Sequence, residues 1–242
     1  SATNDGGVGM LQALGYGFLD SQGQPVARGA QGLRDLVKIS DEGVLPQLRE
    51  CEFHIACDVT NPLCGEKGCS AVFGPQKGAT PKMIDQMDEW MGNYAKITES
   101  VFPGADPNTA GSGAAGGLGF AFLAFTPAVL ESGIQIVLRE LKLEQDIAQA
   151  DLVITGEGRL DEQTAMGKAP IGVARLAKKY GKPVIGFGGS VTDGARACNQ
   201  NGIDAYFPIL RSIVTLEEAM DTKQAYRNLA DTAEQVFRLF TL

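Results

Sequence analysis

The last part of the chain alternates short apolar, β-branched runs with helical segments, and this alternation limits the fold more than any other feature. Asp151-Leu-Val-Ile-Thr155 reads as a buried strand ending in a glycine-rich turn. Pro170 to Tyr180 has helical spacing. Ile171, Val173 with Ala174, and Ala177 form one face, Lys178 and Lys179 fill the last turn, and Gly181 stops it. Lys182 to Phe187 predicts a second strand, Asp193 to Asn201 a helix ended by Gly202, Ile203 to Leu210 a third strand, and Leu216 to Phe240 one or two closing helices. Such spacing predicts an α/β fold with a parallel sheet and right-handed crossovers. A parallel sheet needs both faces and its centre covered. Three strands do this poorly, so the sheet in this chain is expected to be incomplete, with its other strands coming from a missing N-terminal segment or a partner chain.

The first 140 residues read differently, which divides the chain into 1–140 and 141–242. Residues 7–14 predict a helix, and Tyr16 to Leu19 with Val26 flank a turn that reads as a hairpin. Glu52 to Val59 predicts a strand. Residues 81–100 predict an amphipathic helix carrying Met83, Met87, Trp90 and Met91, with Thr80 as its N-cap and Pro81 in its first turn. A loop from Phe102 to Ser112 leads through glycines into an apolar helix at 117–125.

Charge and thiols narrow the function. The formal charge is −8, from 21 Lys and Arg against 29 Asp and Glu, and no basic tract is present, so a nucleic-acid partner is not expected. An anionic substrate then needs local positive groups or a bound cation. No apolar run reaches the roughly 18 residues of a membrane span. The odd cysteine count, five in all, reads as reduced thiols of a cytoplasmic protein rather than a disulfide framework. Cys57, Cys64 and Cys69 follow His54 at spacings that match no compact zinc pattern. His54, the only histidine, lies within the predicted strand and reads as packed and hydrogen-bonded, which leaves no Ser–His–Asp set.

Glycine supplies 31 of the 242 residues, and it marks the motifs. Thr3-Asn4-Asp5-Gly6-Gly7, ahead of a helix, fits either an N-cap or a converging set of donors around an oxygen-rich ligand. Asp58-Val-Thr-Asn61 closes a strand, where α/β sheets form ligand crevices. Lys77 stands in a Gly-Pro loop before a helix, placed for an anion or simply on the surface. Gly113, Gly116, Gly117 and Gly119 allow phosphate oxygens close to the backbone, but they fit neither a Walker A loop nor the dinucleotide fingerprint, and close helix packing explains them almost as well. Glu157, Gly158, Arg159 and Asp161, followed by Thr164, Gly167 and Lys168, gather just past a predicted strand. There, acids suit Mg²⁺ and bases suit phosphate. Gly188, Gly189 and Ser190 end the next strand, as a nucleotide cradle or a tight turn. Two glycine-rich anion sites, acids for a hard cation and a basic pair together suggest phosphoryl transfer.

At these motifs the sequence resembles the bacterial glycerate kinase family, ATP-dependent enzymes that phosphorylate D-glycerate at its 2-hydroxyl. The matching stretches are Ser1 to Gly7, Ala56 to Leu63, Val72 to Gly78, Gly113 to Gly119, Ile154 to Asp161 and Gly167 to Ala174. They stand in family order over nearly the whole chain. The resemblance implies a Rossmann-like domain with a second α/β domain inserted into it, residues 1–140 belonging mostly to the inserted one. It also implies that this is a C-terminal fragment lacking a family segment with an Asp-Ser-Phe-Lys-type motif. ATP, Mg²⁺ and D-glycerate are the implied ligands. Asp5 and Asp58 would lie near the glycerate hydroxyl, one of them as base. Arg159 and Lys168 would face phosphate or carboxylate. Glu157 and Asp161 would orient Arg159 or hold Mg²⁺, with Asp161 the metal residue. Thr3, Asn4, Asn61, Lys77 and the glycine loops would bind substrate or phosphates. A ligand-binding fragment without turnover, and a kinase for another small hydroxy or sugar acid, are the alternative expectations.

Overall fold

The computed structural model describes residues 3–240. The chain forms two compact units, one ending at Gly133 and the other beginning at Ile134. Among the described residues no helix is long and apolar enough to cross a membrane.

The first unit runs α1 (Val8–Ala13), β1 (Gly17–Leu19), β2 (Lys38–Ser40), β3 (His54–Ala56), α2 (Cys69–Phe73), α3 (Pro81–Val101), α4 (Ala114–Phe125) and β4 (Val129–Glu131). Its core is built on α3. Thr80 caps that helix by accepting the Met83 N–H, and Pro81 occupies the first turn. Met87, Met91, Tyr94, Ala95 and Thr98 form its buried stripe, whereas Met83 is 47% exposed. The fully buried Tyr94 ring meets Phe120 edge-on, with centroids 5.4 Å apart. Its hydroxyl donates to the Gly6 carbonyl at 3.2 Å, so the same side chain fills the core and fixes the N-terminal loop.

Two sequence expectations change in this unit. The predicted hairpin shrinks to a single bridge, Leu19 to Pro25, and β1 pairs instead with β2, antiparallel. Asp20 takes the N–H groups of Gln22 and Gln24, tightening the turn, and Pro25 has no N–H with which to extend a ladder. The strand predicted over residues 52–59 is cut to three residues, because β4 offers only three parallel partners. His54 is correspondingly exposed rather than packed, with Nδ1 2.6 Å from the Glu131 carboxylate on the neighbouring strand.

The second unit runs α5 (Gly133–Glu140), α6 (Leu143–Gln149), β5 (Val153–Leu160), α7 (Glu162–Ala165), α8 (Ala169–Lys179), β6 (Val184–Val191), α9 (Arg196–Gln200), β7 (Ala205–Pro208), α10 (Leu216–Met220) and α11 (Thr222–Phe240). Helix α5 opens on Gly133, the last residue of the first unit. The sheet order is β5-β6-β7, all parallel. One face of the sheet packs Val153 and Val184 with Ile171, Ala174 and Ala177 of α8. The other packs Ile185 and Phe187 with Val236 of α11. Ile154 on the edge strand β5 stays 45% exposed. The mixed α/β class with parallel strands therefore agrees with the reading from sequence.

The strand β5 does not stop at the glycines as expected. It pairs with β6 from Val153–Val184 through Leu160–Val191. A Cβ on Gly156 would stand 2.3 Å from the Phe187 carbonyl oxygen, and one on Gly189 would stand 2.4 Å from that of Gly158. The missing side chains thus let the two strands stay in register through a stretch that reads as a turn.

Candidate functional site

In the first unit the loops of three motifs come together around Thr3 to Gly7. Lys77 Nζ donates to the Thr3 carbonyl at 2.5 Å. Gly6 N–H donates to the Gly116 carbonyl at 2.9 Å. A Cβ on Gly116 would stand 2.4 Å from the Thr3 carbonyl oxygen, and one on Gly117 would stand 2.7 Å from Gly6 Cα. Residues Ala115, Gly116 and Gly117 all hold positive φ, so the regular part of α4 starts after them. A fourth motif joins through Asn61, whose carbonyl accepts the Gly113 N–H at 2.9 Å, and Pro62, whose carbonyl oxygen lies 2.2 Å from where a Gly113 Cβ would be. Gly119 packs in the same way on the Gly111 carbonyl, at 2.0 Å. The glycine segment is therefore required by close backbone packing.

Asn4 is a buried polar group of this cluster. Its Nδ2 donates to Ser70 Oγ at 2.9 Å, and its Oδ1 is buried without a hydrogen-bond partner. A buried carbonyl oxygen left unpaired costs about 1–3 kcal/mol, so this atom is suited to a donor from a ligand. Asp5 takes the N–H of Gly7 on one oxygen and that of Gly9 on the other, at 3.1 and 3.3 Å, ahead of α1, whose N-cap residue is Gly7. Asp58 is exposed beyond β3 and accepts the Gly133 N–H on Oδ1 at 3.0 Å. Ser70, fully buried, belongs to the cluster too, and no sequence signal pointed to it. The thiols nearby are poor nucleophiles: burial pushes Cys64 up to about 12 and Cys69 up to about 11.

In the second unit the side chains of β5 meet the start of α7. Glu157 and Arg159 are strand residues rather than turn residues, opposite Gly188 and Ser190 of β6. Asp161 is the N-cap of α7 and forms a reciprocal capping box with Thr164, at 3.0 Å from Oδ1 to the Thr164 N–H. That N–H holds the Asp161 carboxyl below its ordinary range, with the Lys168 charge adding to it. Lys168 Nζ stands 3.7 Å from Asp161 Oδ1, and Lys168 is the N-cap residue of α8, after Gly167 at φ 118. The Thr164 hydroxyl donates to Glu157 Oε1. Glu157, Asp161 and Lys168 thus come together through Thr164 and the Asp161–Lys168 pair, although Glu157 and Arg159 lie within β5 and not past it. In the sequence only its place three residues after Asp161 marks Thr164, since the usual capping-box pattern has Glu or Gln there. No Cβ clash surrounds Gly158, whose open side contrasts with the packed Gly188 and Gly189.

All five cysteines are free, and among the described residues no three His, Cys, Asp or Glu side chains form a metal-holding group. A cavity of about 520 Å³ on the first unit is lined by Arg34, Glu89, Trp90, Gly92, Asn93 and Lys96, none of which belongs to the motifs.

Comparison with known proteins places these residues in context. The chain is 48% identical over 239 residues to a glycerate kinase of Haemophilus influenzae, covering 99% of this chain and 63% of that one. It is 48% identical over 236 residues to glycerate 2-kinase of Escherichia coli K12, covering 98% and 61%. A solved structure from Salmonella typhimurium LT2, provisionally named glycerate kinase 2, superposes with a TM-score of 0.81 at 48% identity, covering 98% of this chain and 63% of that one. The chain thus spans a little over three-fifths of the length of these relatives. The profile described as the glycerate kinase family matches residues 1–241, and with these identities it shows that the chain belongs to the glycerate kinase family.

Proposed function

We propose that the protein carrying this chain transfers the γ-phosphoryl group of ATP to the 2-hydroxyl of D-glycerate. The observation that carries this reading is the 48% identity to a glycerate 2-kinase over 98% of the chain. The gathering of motif residues into one polar constellation per unit supports it. Phosphoryl transfer needs positioning and charge neutralisation more than covalent equipment. In this reading Arg159 and Lys168 neutralise phosphate or carboxylate oxygens.

Mg²⁺ is typically held by one or two carboxylates together with phosphate oxygens and water. Glu157 and Asp161 fit that demand, since one hydroxyl touches both carboxylates. When bound there, Mg²⁺ would neutralise phosphate charge. In the first unit Asn4 Oδ1 takes a substrate hydroxyl, with Thr3, Asn61 and Lys77 shaping the pocket. Gly113, Gly116, Gly117 and Gly119 act by letting those loops close, and Gly158 leaves room for the nucleotide, with Gly188, Gly189 and Ser190 of the paired strand β6 beside it. Asp58 is the better base of the two aspartates, because Asp5 has a backbone donor on each oxygen and Asp58 on only one.

As part of the same reading, residues 1–140 belong mostly to a domain inserted into a Rossmann-like one, the part after Gly133 going with the second unit, and the β5 edge takes a further strand from the same polypeptide or a partner. Among the described residues β5 stands at the end of the sheet order, which supports the further strand. Five free thiols fit a cytoplasmic setting. The test is ADP release with D-glycerate and Mg²⁺·ATP. D58N should lose roughly 100-fold in kcat, the size of a lost general base. A full rate in D58N removes Asp58 from that role, and no D-glycerate-dependent ADP release in the parent protein defeats the whole proposal.

A further inference from the structure

The Thr164 side chain is fully buried in the first turn of α7, yet its surroundings are polar. Its hydroxyl oxygen accepts the Asp161 N–H at 3.1 Å. Three acceptors compete for its proton: Glu157 Oε1, which is nearest, Asp161 Oδ1 at 3.3 Å and the Arg159 carbonyl at 3.4 Å. A threonine hydroxyl has only one proton to give. It goes to Glu157, the closest acceptor and a charged one. Asp161 Oδ1 loses little by this, since it already accepts the Thr164 N–H at 3.0 Å and faces Lys168 Nζ at 3.7 Å.

A capping box uses only the reciprocal bonds between Asp161 and Thr164. The bond to Glu157 is additional. It ties a carboxylate of strand β5 to the start of the next helix, and it brings that carboxylate beside the capping one. Two like charges so placed would separate if nothing held them, and a glutamate released from its partner regains its rotamers.

We infer that Thr164 is a positioning residue, whose hydroxyl pins Glu157 beside Asp161 so that the two carboxylates meet the metal–nucleotide in one geometry. This deepens the phosphoryl-transfer reading and rests on it. The residue acts through Glu157 and touches neither substrate nor metal itself.

Calorimetric titration of Mg²⁺·ATP into the whole protein tests it, with T164S, T164V, E157Q and the E157Q/T164V double variant, each first checked by thermal unfolding. T164S keeps the hydroxyl and should bind within about twofold of the parent. T164V should bind about tenfold more weakly, as for a lost charge-assisted hydrogen bond. The double variant should bind no more weakly than E157Q alone, because the two residues act in series. T164V binding like the parent, T164S binding as poorly as T164V, or losses that multiply in the double variant would each overturn the inference. If T164V fails to fold, T164A alone and with E157Q carries the same expectations. Failure of the parent protein to bind Mg²⁺·ATP is a separate result: it brings down the phosphoryl-transfer reading, and this inference with it.

Discussion

In the unit ending at Gly133 the motif loops are held by backbone packed against backbone. In the unit beginning at Ile134 the charged side chains around the end of β5 are held through the buried Thr164 and an Asp161–Lys168 ion pair. Gly116 and Gly117 have no room for a Cβ, because Thr3 and Gly6 occupy that space. Gly158 has nothing within 4 Å of its own. Identical residue types thus do opposite work. A glycine packed on backbone is a folding requirement, and a glycine with an open side, at a negative φ, is a candidate for ligand approach. The distinction teaches that glycine-rich motifs in one family sequence are not equivalent sites.

Four substitutions break or sharpen that contrast. The largest effect is expected for G116A. A methyl group would meet the Thr3 carbonyl oxygen at 2.4 Å, at a residue with φ 72. The combined clash and left-handed backbone should cost roughly 3 kcal/mol in urea unfolding; a cost below about 1 kcal/mol would show that the loop yields easily. Next is T80A, which removes the α3 cap and leaves the Met83 N–H without its side-chain acceptor. About 1 kcal/mol should be lost, and hydrogen exchange should rise in α3 but not in β5 or β6.

The third substitution, D161N, reads the other constellation through pH. The Thr164 N–H, and then Lys168, hold the Asp161 carboxyl below its ordinary range. A folded value below the unfolded one, about 3.9, stabilises the protein fully above that value. The contribution disappears as pH falls through the folded value. The parent should therefore lose more of its denaturant midpoint than D161N does between about pH 5 and about pH 2. Parallel losses would show that the capping carboxylate is not linked to stability. The smallest stability change belongs to G158A, within about 0.5 kcal/mol because its side is open. The same variant should weaken Mg²⁺·ATP binding about tenfold if a phosphate approaches there. Unchanged binding would mean that the open side of Gly158 serves no ligand.

What the sequence made legible follows the same division. Strand–helix alternation after Asp151 predicted three parallel strands and their helices, because local propensity and tertiary packing agree there. Gly181 and Gly202, both at positive φ, end their helices as read. The strands of the first unit were harder to read. β1 pairs across a gap with Lys38–Ser40, and β3 with Val129–Glu131, partners that no local pattern names. The extent of β5 is not legible in the sequence for a physical reason: glycine has low strand propensity, and only the neighbour across the sheet, Gly189, shows why it is tolerated. At the sites, charged residues and glycines stood out by type. Ser70 acts through burial and hydrogen bonding, which a sequence does not reveal, and Thr164, although within a motif, shows its link to Glu157 only in the fold.

The central claim is that these constellations serve phosphoryl transfer from ATP to the 2-hydroxyl of D-glycerate. Phosphorus NMR of the product formed by the parent protein from D-glycerate and Mg²⁺·ATP tests this most directly. The account predicts one phosphomonoester signal, coupled to the proton on the carbon that bears the carboxylate. A signal coupled to the terminal methylene protons, or no phosphorylated glycerate while ATP is consumed with another acceptor, would contradict it.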